Sequence, residues 1–259
     1  MGIALQSLPL DSLAGAGRAS LVCRDVLPGE VAEVRTELVS VTGPRDEIED
    51  PGDDVCVVLI GLAGTATVRA EDASFELAAE SLARPPCGRE YGLRVADGDE
   101  AHVLRVSKRL NDEDNAVIAG QPAEHAALYA ARFAECPTYS EGIKSAKTVN
   151  RTLLPEGVVP RFCLGSVETV GPDEVARHEH PMLEQLFLGL RDCRCTVVAD
   201  DASAVLTGNT LLHVPLGSNH AVAVAKGDTL YYLWFDFFRT LADQSWIRDQ
   251  HIVDERDGR

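Results

Sequence analysis

The sequence predicts an all-β fold of two barrels in tandem, and three observations carry that prediction. Short runs rich in Val, Ile, Thr and aromatic residues recur between turn signals in both halves of the chain, a pattern typical of sandwiches and barrels. One stretch of different composition, 111–147, separates a first strand-rich segment, 1–110, from a second, 148–259. With 259 residues, 45% of them hydrophobic, the chain can bury a core in one large β domain or in two of ordinary size.

The strand-like runs of the first half are Val31–Val41, Val55–Ile60, Thr65–Arg69, Tyr91–Val95 and Ala101–Ser107. The linker opens on the acidic run Asn111-Asp112-Glu113-Asp114 and continues into Pro122–Glu135, which is Ala-rich. Pro122 near the first turn and Glu124 at the positive end of the dipole predict a helix there. Strand-like runs resume at Val149 and continue to Phe238, and Thr240–Asp249 reads as a short terminal helix.

Charge and composition exclude several classes of function. A formal net charge of -17 opposes the neutralisation of phosphates on which nucleic-acid affinity depends, so nucleic acid is not an expected partner. No apolar stretch is long enough to span a bilayer, and Met1–Leu10 lacks a basic leader and is soon interrupted by Asp11. The expectation is a soluble, cytoplasmic protein with a small-molecule substrate. Seven cysteines without a CxxC pair indicate neither a disulfide framework nor a zinc ribbon. Cys193 and Cys195, two apart, read as small buried hydrophobes.

The densest chemistry lies at His178-Glu179-His180, followed by Glu184 and, downstream, by Pro215-Leu216-Gly217-Ser218-Asn219-His220. Alternate side chains of a strand share a face, so His178 and His180 present two imidazoles to one ion. Glu184 joins that face if the chain stays extended or turns briefly at Pro181. Pro215 and Gly217 bend the chain at the end of another apolar strand, where His220 swings in as a fourth ligand. Three imidazoles and a carboxylate suit one divalent ion of the zinc, manganese, iron or nickel group. His102, His125 and His251 read as packed or surface residues, and His213 as ambiguous.

These residues resemble the two motifs of the cupin superfamily. Gly171, His178, His180 and Glu184 match the first motif, and Gly208, Pro215, Gly217 and His220 the second, with each spacer after its leading glycine one residue longer than usual. The closing glycine of the first motif and the closing asparagine of the second are absent. In the first half, Gly61 to Val68 resembles the glycine turn inside the first motif, and Pro85 to Tyr91 resembles the second. Glu90 or Tyr91 stands where the ligand histidine belongs, and no His-x-His precedes Gly61. The resemblance implies a bicupin of two jelly-roll barrels, the first a metal-free scaffold that could also mediate a homodimer, the second carrying the metal.

Thr148 to Gly189 resembles the 5-keto-4-deoxyuronate and 5-deoxy-glucuronate isomerases at Asn150-Arg151-Thr152, Cys163-Leu164-Gly165 and Glu184-Gln185-Leu186-Phe187, and the ending Leu230-Tyr231-Tyr232-Leu233 resembles the second of them. The register usual in those isomerases would select Gln185 in place of Glu184. The resemblance implies an aldose–ketose proton shift on a sugar acid, with Glu184, Tyr232, Asp236 or His213 as the base and Arg161 or Arg177 able to pair with the substrate carboxylate. The alternatives are a manganese-dependent aminohydrolase of the ureidoglycine type and a non-catalytic sugar-binding bicupin. That aminohydrolase family expects a glutamine or similar polar group opposite the histidines and a lysine on the last strand.

Overall fold

The computed structural model describes residues 2–10 and 20–245. Its strands in chain order are β1 (Ala4–Ser7), β2 (Leu21–Val26), β3 (Val34–Thr42), β4 (Arg45–Glu49), β5 (Val55–Ala70), β6 (Ala73–Ala78), β7 (Ser81–Arg84), β8 (Tyr91–Val95), β9 (Glu100–Arg109) and β10 (Tyr129–Arg132). They continue with β11 (Thr138–Tyr139), β12 (Val149–Val159), β13 (Phe162–Val170), β14 (Asp173–Glu179), β15 (Leu183–Gly189), β16 (Arg194–Ala199), β17 (Ala202–Thr207), β18 (Thr210–Val214), β19 (Asn219–Val224) and β20 (Thr229–Phe238). Helices α1 (Asp112–Gly120) and α2 (Pro122–Ala126) lie between β9 and β10.

The chain forms two compact units whose boundaries differ from the expected 1–110, 111–147 and 148–259. Within the described residues, one unit takes 8–136 and 158–160, and the other takes 2–7, 137–157 and 161–245. The reason at the N-terminal end is strand pairing: β1 runs antiparallel to β18, with Ala4 opposite His213, and so completes a sheet of the C-terminal barrel.

In the first unit, β5 is one strand where the sequence predicts two runs and a turn. Its first part pairs with β9 and its second part with β6 and β8, and the ladder slips by a bulge between Gly61 and Ala63. A Cβ on Gly61 would meet the Ala78 carbonyl oxygen at 1.9 Å, so the glycine lets the strand bend from one sheet into the next. The core here joins Val39, Val57, Leu59, Val68, Leu77 and Val103. Cys56 and Cys87 form a disulfide, which corrects the expectation of unpaired thiols. Partners 31 residues apart leave no spacing signature in the sequence.

The linker helix starts at Pro122 as expected but is short, and a second helix precedes it. The acidic run is itself the start of α1: the Asn111 side chain accepts from the Asp114 amide at 2.9 Å, and the Asp114 carboxylate accepts from the Asn111 amide at 3.2 Å. Asp114 is fully buried and receives Lys108 Nζ at 2.8 Å, which ties α1 to β9. Past Ala126 the predicted helix gives way to β10, because pairing with β7 satisfies the backbone of 129–132 and outweighs local propensity.

The second unit sets a seven-stranded sheet, in the order β1-β18-β15-β20-β13-β12-β11, against a four-stranded one, β14-β19-β16-β17. Between them lie Val167, Phe187, Leu212 and Tyr232 from the first and Val175, Val197, Leu206 and Val222 from the second. Cys193 and Cys195 belong to this core, as their composition predicts. Residues 241–245 form the first turn of the expected terminal helix, and the remainder to Asp249, like His251, lies outside the described residues. Thr240 Oγ1 accepts from the Asp243 amide at 3.1 Å and caps that turn. Among the described residues no helix is long and apolar enough to cross a membrane.

Replacing Asp114 with Ala leaves the Lys108 ammonium buried without its counter-charge, so we expect a loss of about 3 kcal/mol in urea unfolding. The Lys108→Met, Asp114→Ala double variant should recover most of it. Equal losses in the single and double variants would show that the charge pair is not the cause.

Candidate metal centre

Antiparallel register builds the centre. On β14 and β19, His178 stands directly opposite His220, and the ladder is shifted by a bulge between Val175 and His178. His180 follows immediately after β14 and returns to the same face. The ring of His178 lies 4.8 Å from that of His180 and 4.2 Å from that of His220, and one nitrogen from each of the three falls within 4.8 Å of the others. Gly217 at φ +70° and a Ser218 amide bond to the Pro215 carbonyl form the tight turn that delivers His220, as the Pro-x-Gly spacing predicts.

Backbone carbonyls set the tautomers. Nδ1–H of His178 donates to the Ala176 carbonyl at 2.7 Å, and Nδ1–H of His220 donates to the Ser218 carbonyl at 3.2 Å. A carbonyl can only accept, so the proton sits on Nδ1 and the Nε2 lone pair of each ring is left for an ion. Burial, reinforced by His178, pulls His220 down to about 4, so it is neutral near pH 7 and ready to ligate. The donor set therefore fits a divalent ion of the borderline class that imidazole favours.

Glu184 does not join this set, which corrects the four-ligand expectation. On β15 it stands opposite Phe237 and accepts from His213 Nε2 at 2.9 Å, on the face away from the histidines. The neighbouring Gln185 stands opposite Asp236 and faces them instead. Counting an even number of residues from His180 fails because 180–182 are not part of a strand, and the alternation restarts at Leu183. His213, opposite Leu186, shares the outer face with Glu184.

The three histidines line a cavity of about 270 Å³. Its walls include Phe187, Trp234 and Phe238, and its polar groups include Gln185, Asp236, Glu141, Lys144 and Glu156. Gln185 Nε2 donates to Asp236 Oδ1 at 2.7 Å, and Lys144 Nζ lies 2.5 Å from the Glu141 carboxylate. Tyr232 lines the cavity from within the core, and burial holds its hydroxyl well above the usual range. Burial likewise pushes the Cys163 thiol up to about 12, although Gln244 donates to its sulfur at 3.1 Å.

Neither expected arginine lines the cavity. Arg161 is buried and donates to the Phe238 and Arg239 carbonyls at 3.2 and 2.9 Å, and exposed Arg177 donates to the Asn219 carbonyl. Phe187 and Trp234 were legible by counting in twos from Gln185 and Asp236. Lys144 was not, because an isolated bridge to Val175, with no sequence period, brings it to the cavity wall.

The described residues form two tandem barrels of the cupin fold, with a three-histidine cluster in the second. No family model and no curated protein sequence matches the chain. Among solved structures it is similar to the E. coli protein Ylba, at 13% identity over 91% of this chain and 90% of that one, with a TM-score of 0.64. It is also similar to a deletion mutant of Bacillus subtilis oxalate decarboxylase, at 12% identity over 91% of this chain and 76% of that one, TM-score 0.61. A cupin 2 conserved barrel domain protein from Leptotrichia buccalis overlays with TM-score 0.59 at 13% identity, over 85% of this chain and 89% of that one.

We expect His178→Ala, His180→Ala and His220→Ala each to weaken metal binding more than about 100-fold, the upper range for loss of a mere outer partner. Glu184→Ala should leave occupancy unchanged by elemental analysis, and loss of metal in that variant would restore the four-ligand set.

Proton linkage gives a second expectation for chelator-treated protein. His220 takes up a proton near pH 6.5 when unfolded but only near 4 when folded, so its contribution is complete above pH 6.5 and is lost as pH falls through 4. The loss is about 3 kcal/mol, and His220→Asn should flatten that part of the stability profile.

Proposed function

We propose that the C-terminal barrel is a metal-dependent active site that isomerises a sugar acid by moving a proton between adjacent carbons. The observation that carries this reading is a cluster of three imidazoles and a carboxylate, Asp236, on the walls of one partly aromatic cavity. A divalent ion held by His178, His180 and His220 would supply Lewis-acid polarisation of a substrate carbonyl.

Asp236 is the base in this reading, in place of Glu184 on the outer face or Tyr232, whose hydroxyl burial disfavours ionising. The Gln185 amide donates to its carboxylate and holds it in place. Phe187 and Trp234 keep bulk water from the reacting carbons. Lys144 supplies the positive charge for the substrate carboxylate, which takes over part of the interaction with Glu141. The first barrel, in which Tyr91 stands opposite Glu49 where the second pairs two histidines, binds no metal in this reading.

A second reading is an aminohydrolase of the ureidoglycine type. It is favoured by Gln185 facing the histidines and by Lys144, which reaches the cavity from the segment before β12 and not from the last strand.

Proton transfer between adjacent carbons exchanges a substrate C–H with solvent. Keto-uronates and deoxyuronates incubated in deuterated water should gain deuterium beside the carbonyl, with the signal lost on chelation and restored by metal. Asp236→Asn should slow this by about 100-fold or more at unchanged metal content. Ammonia release from ureido compounds without any exchange would replace the isomerase with the aminohydrolase.

A further inference from the structure

The first barrel keeps a cavity at the position where the second barrel has its metal centre, and its chemistry differs. Strand register aligns the two. Glu49 opposite Tyr91 on β4 and β8 corresponds to His178 opposite His220 on β14 and β19. Leu59 opposite Arg105 and Val57 opposite Ser107 correspond to Phe187 opposite Trp234 and Gln185 opposite Asp236. Glu37 opposite Arg105 corresponds to Gly165 opposite Trp234. Tyr91, Arg105 and Ser107 accordingly line a cavity of about 730 Å³, within the range of roughly 300–1,000 Å³ common to small-molecule sites.

An ion cluster occupies its inner wall. Arg105 Nε donates to Glu37 Oε2 at 2.9 Å and its Nη1 to Glu49 Oε2 at 3.1 Å, while Arg35 reaches the other Glu37 oxygen at 2.9 Å. The Glu37 side chain is 3% exposed and that of Arg105 13%. Burying such charges costs several kcal/mol that apolar packing avoids, and replacement by hydrophobic residues is often neutral or stabilising. The second barrel shows that the fold accepts the apolar solution, since Trp234 there lies over Gly165, where a Cβ would stand 2.3 Å from the indole. The cluster is therefore not a requirement of the barrel.

We propose that this cavity is a second ligand site, for a neutral polyhydroxyl compound such as a monosaccharide or cyclitol. Four carboxylates, Glu33, Glu37, Glu49 and Asp50, and three guanidiniums, Arg35, Arg105 and Arg109, line it, so neither an anion nor a cation meets a one-signed surface. Each carboxylate has about four acceptor positions and each guanidinium five donors, more than their mutual pairing uses, and hydroxyl groups that both donate and accept match that supply. The inference does not depend on catalysis in the second barrel.

The test is ligand-observed saturation-transfer NMR and calorimetry on the full chain, with and without chelator. The probes are myo-inositol and D-glucose, with D-glucuronate and putrescine as charged comparisons. A neutral polyol should bind, and Ser107→Leu, which fills the cavity without removing any charge of the ion cluster, should weaken it at least about tenfold. The charge-removing Arg105→Met, Glu37→Gln pair should do the same, whereas His178→Ala, His180→Ala should leave binding unchanged. Thermal melts select the variants that remain folded, and Ser107→Leu alone decides if the double variant does not. Silence from both polyols, binding confined to the charged probes, or binding lost with the histidines would overturn the proposal.

Discussion

The main-chain ladder between β14 and β19 is the interaction on which the candidate centre depends, because it places His178 directly across from His220. Cross-strand neighbours stand on the same face only about 5 Å apart, so two imidazoles meet without any long-range adjustment. The bulge before His178 shifts that register and aims the pair at the cavity. The Ala176 and Ser218 carbonyls then fix the ring protons, which makes the backbone both the scaffold and the outer partner of the site. Mobile side chains contribute little to this geometry, and that is what a preorganised site requires.

The three histidines were legible in the sequence because each sits beside a feature of fixed geometry: strand β14 for His178, the residue just past its end for His180, and a Pro-Gly turn for His220. Glu184 was misread for a related reason. Alternation holds only within a continuous strand, and residues 180–182 interrupt it. Most strand runs were legible from β-branched and aromatic composition. Propensity pointed to a helix over 122–135, of which only 122–126 is helical, and it missed 112–120, which a capping box and a buried ion pair fix. The Cys56–Cys87 pairing and the placement of Lys144 depend on contacts between segments far apart in the chain, which no local pattern encodes.

The two barrels treat equivalent positions in opposite ways. One sets aromatic side chains beside three imidazoles, and the other lines its interior with a guanidinium shared by two carboxylates. A barrel's inward positions are set by strand alternation and not by their chemistry, so the same framework holds either solution. What stays common is the requirement for close backbone approach, which Gly61 meets in the first barrel and Gly189 in the second, where a Cβ would stand 2.2 Å from the Thr207 carbonyl oxygen.

Strand β1 gives the C-terminal barrel a long reach in the sequence. Ala4 waits for His213, and a ribosome adding about 5–20 residues each second needs roughly 10–40 s to cover that separation. Throughout that interval the four residues of β1 are a strand without its ladder, and β18 emerges with one edge open until they dock. Since β18 also flanks β15, which carries Gln185 and Phe187, β1 belongs to the sheet that supplies part of the cavity wall. A change a few residues from the N-terminus thus acts on the same sheet as one beside the histidines.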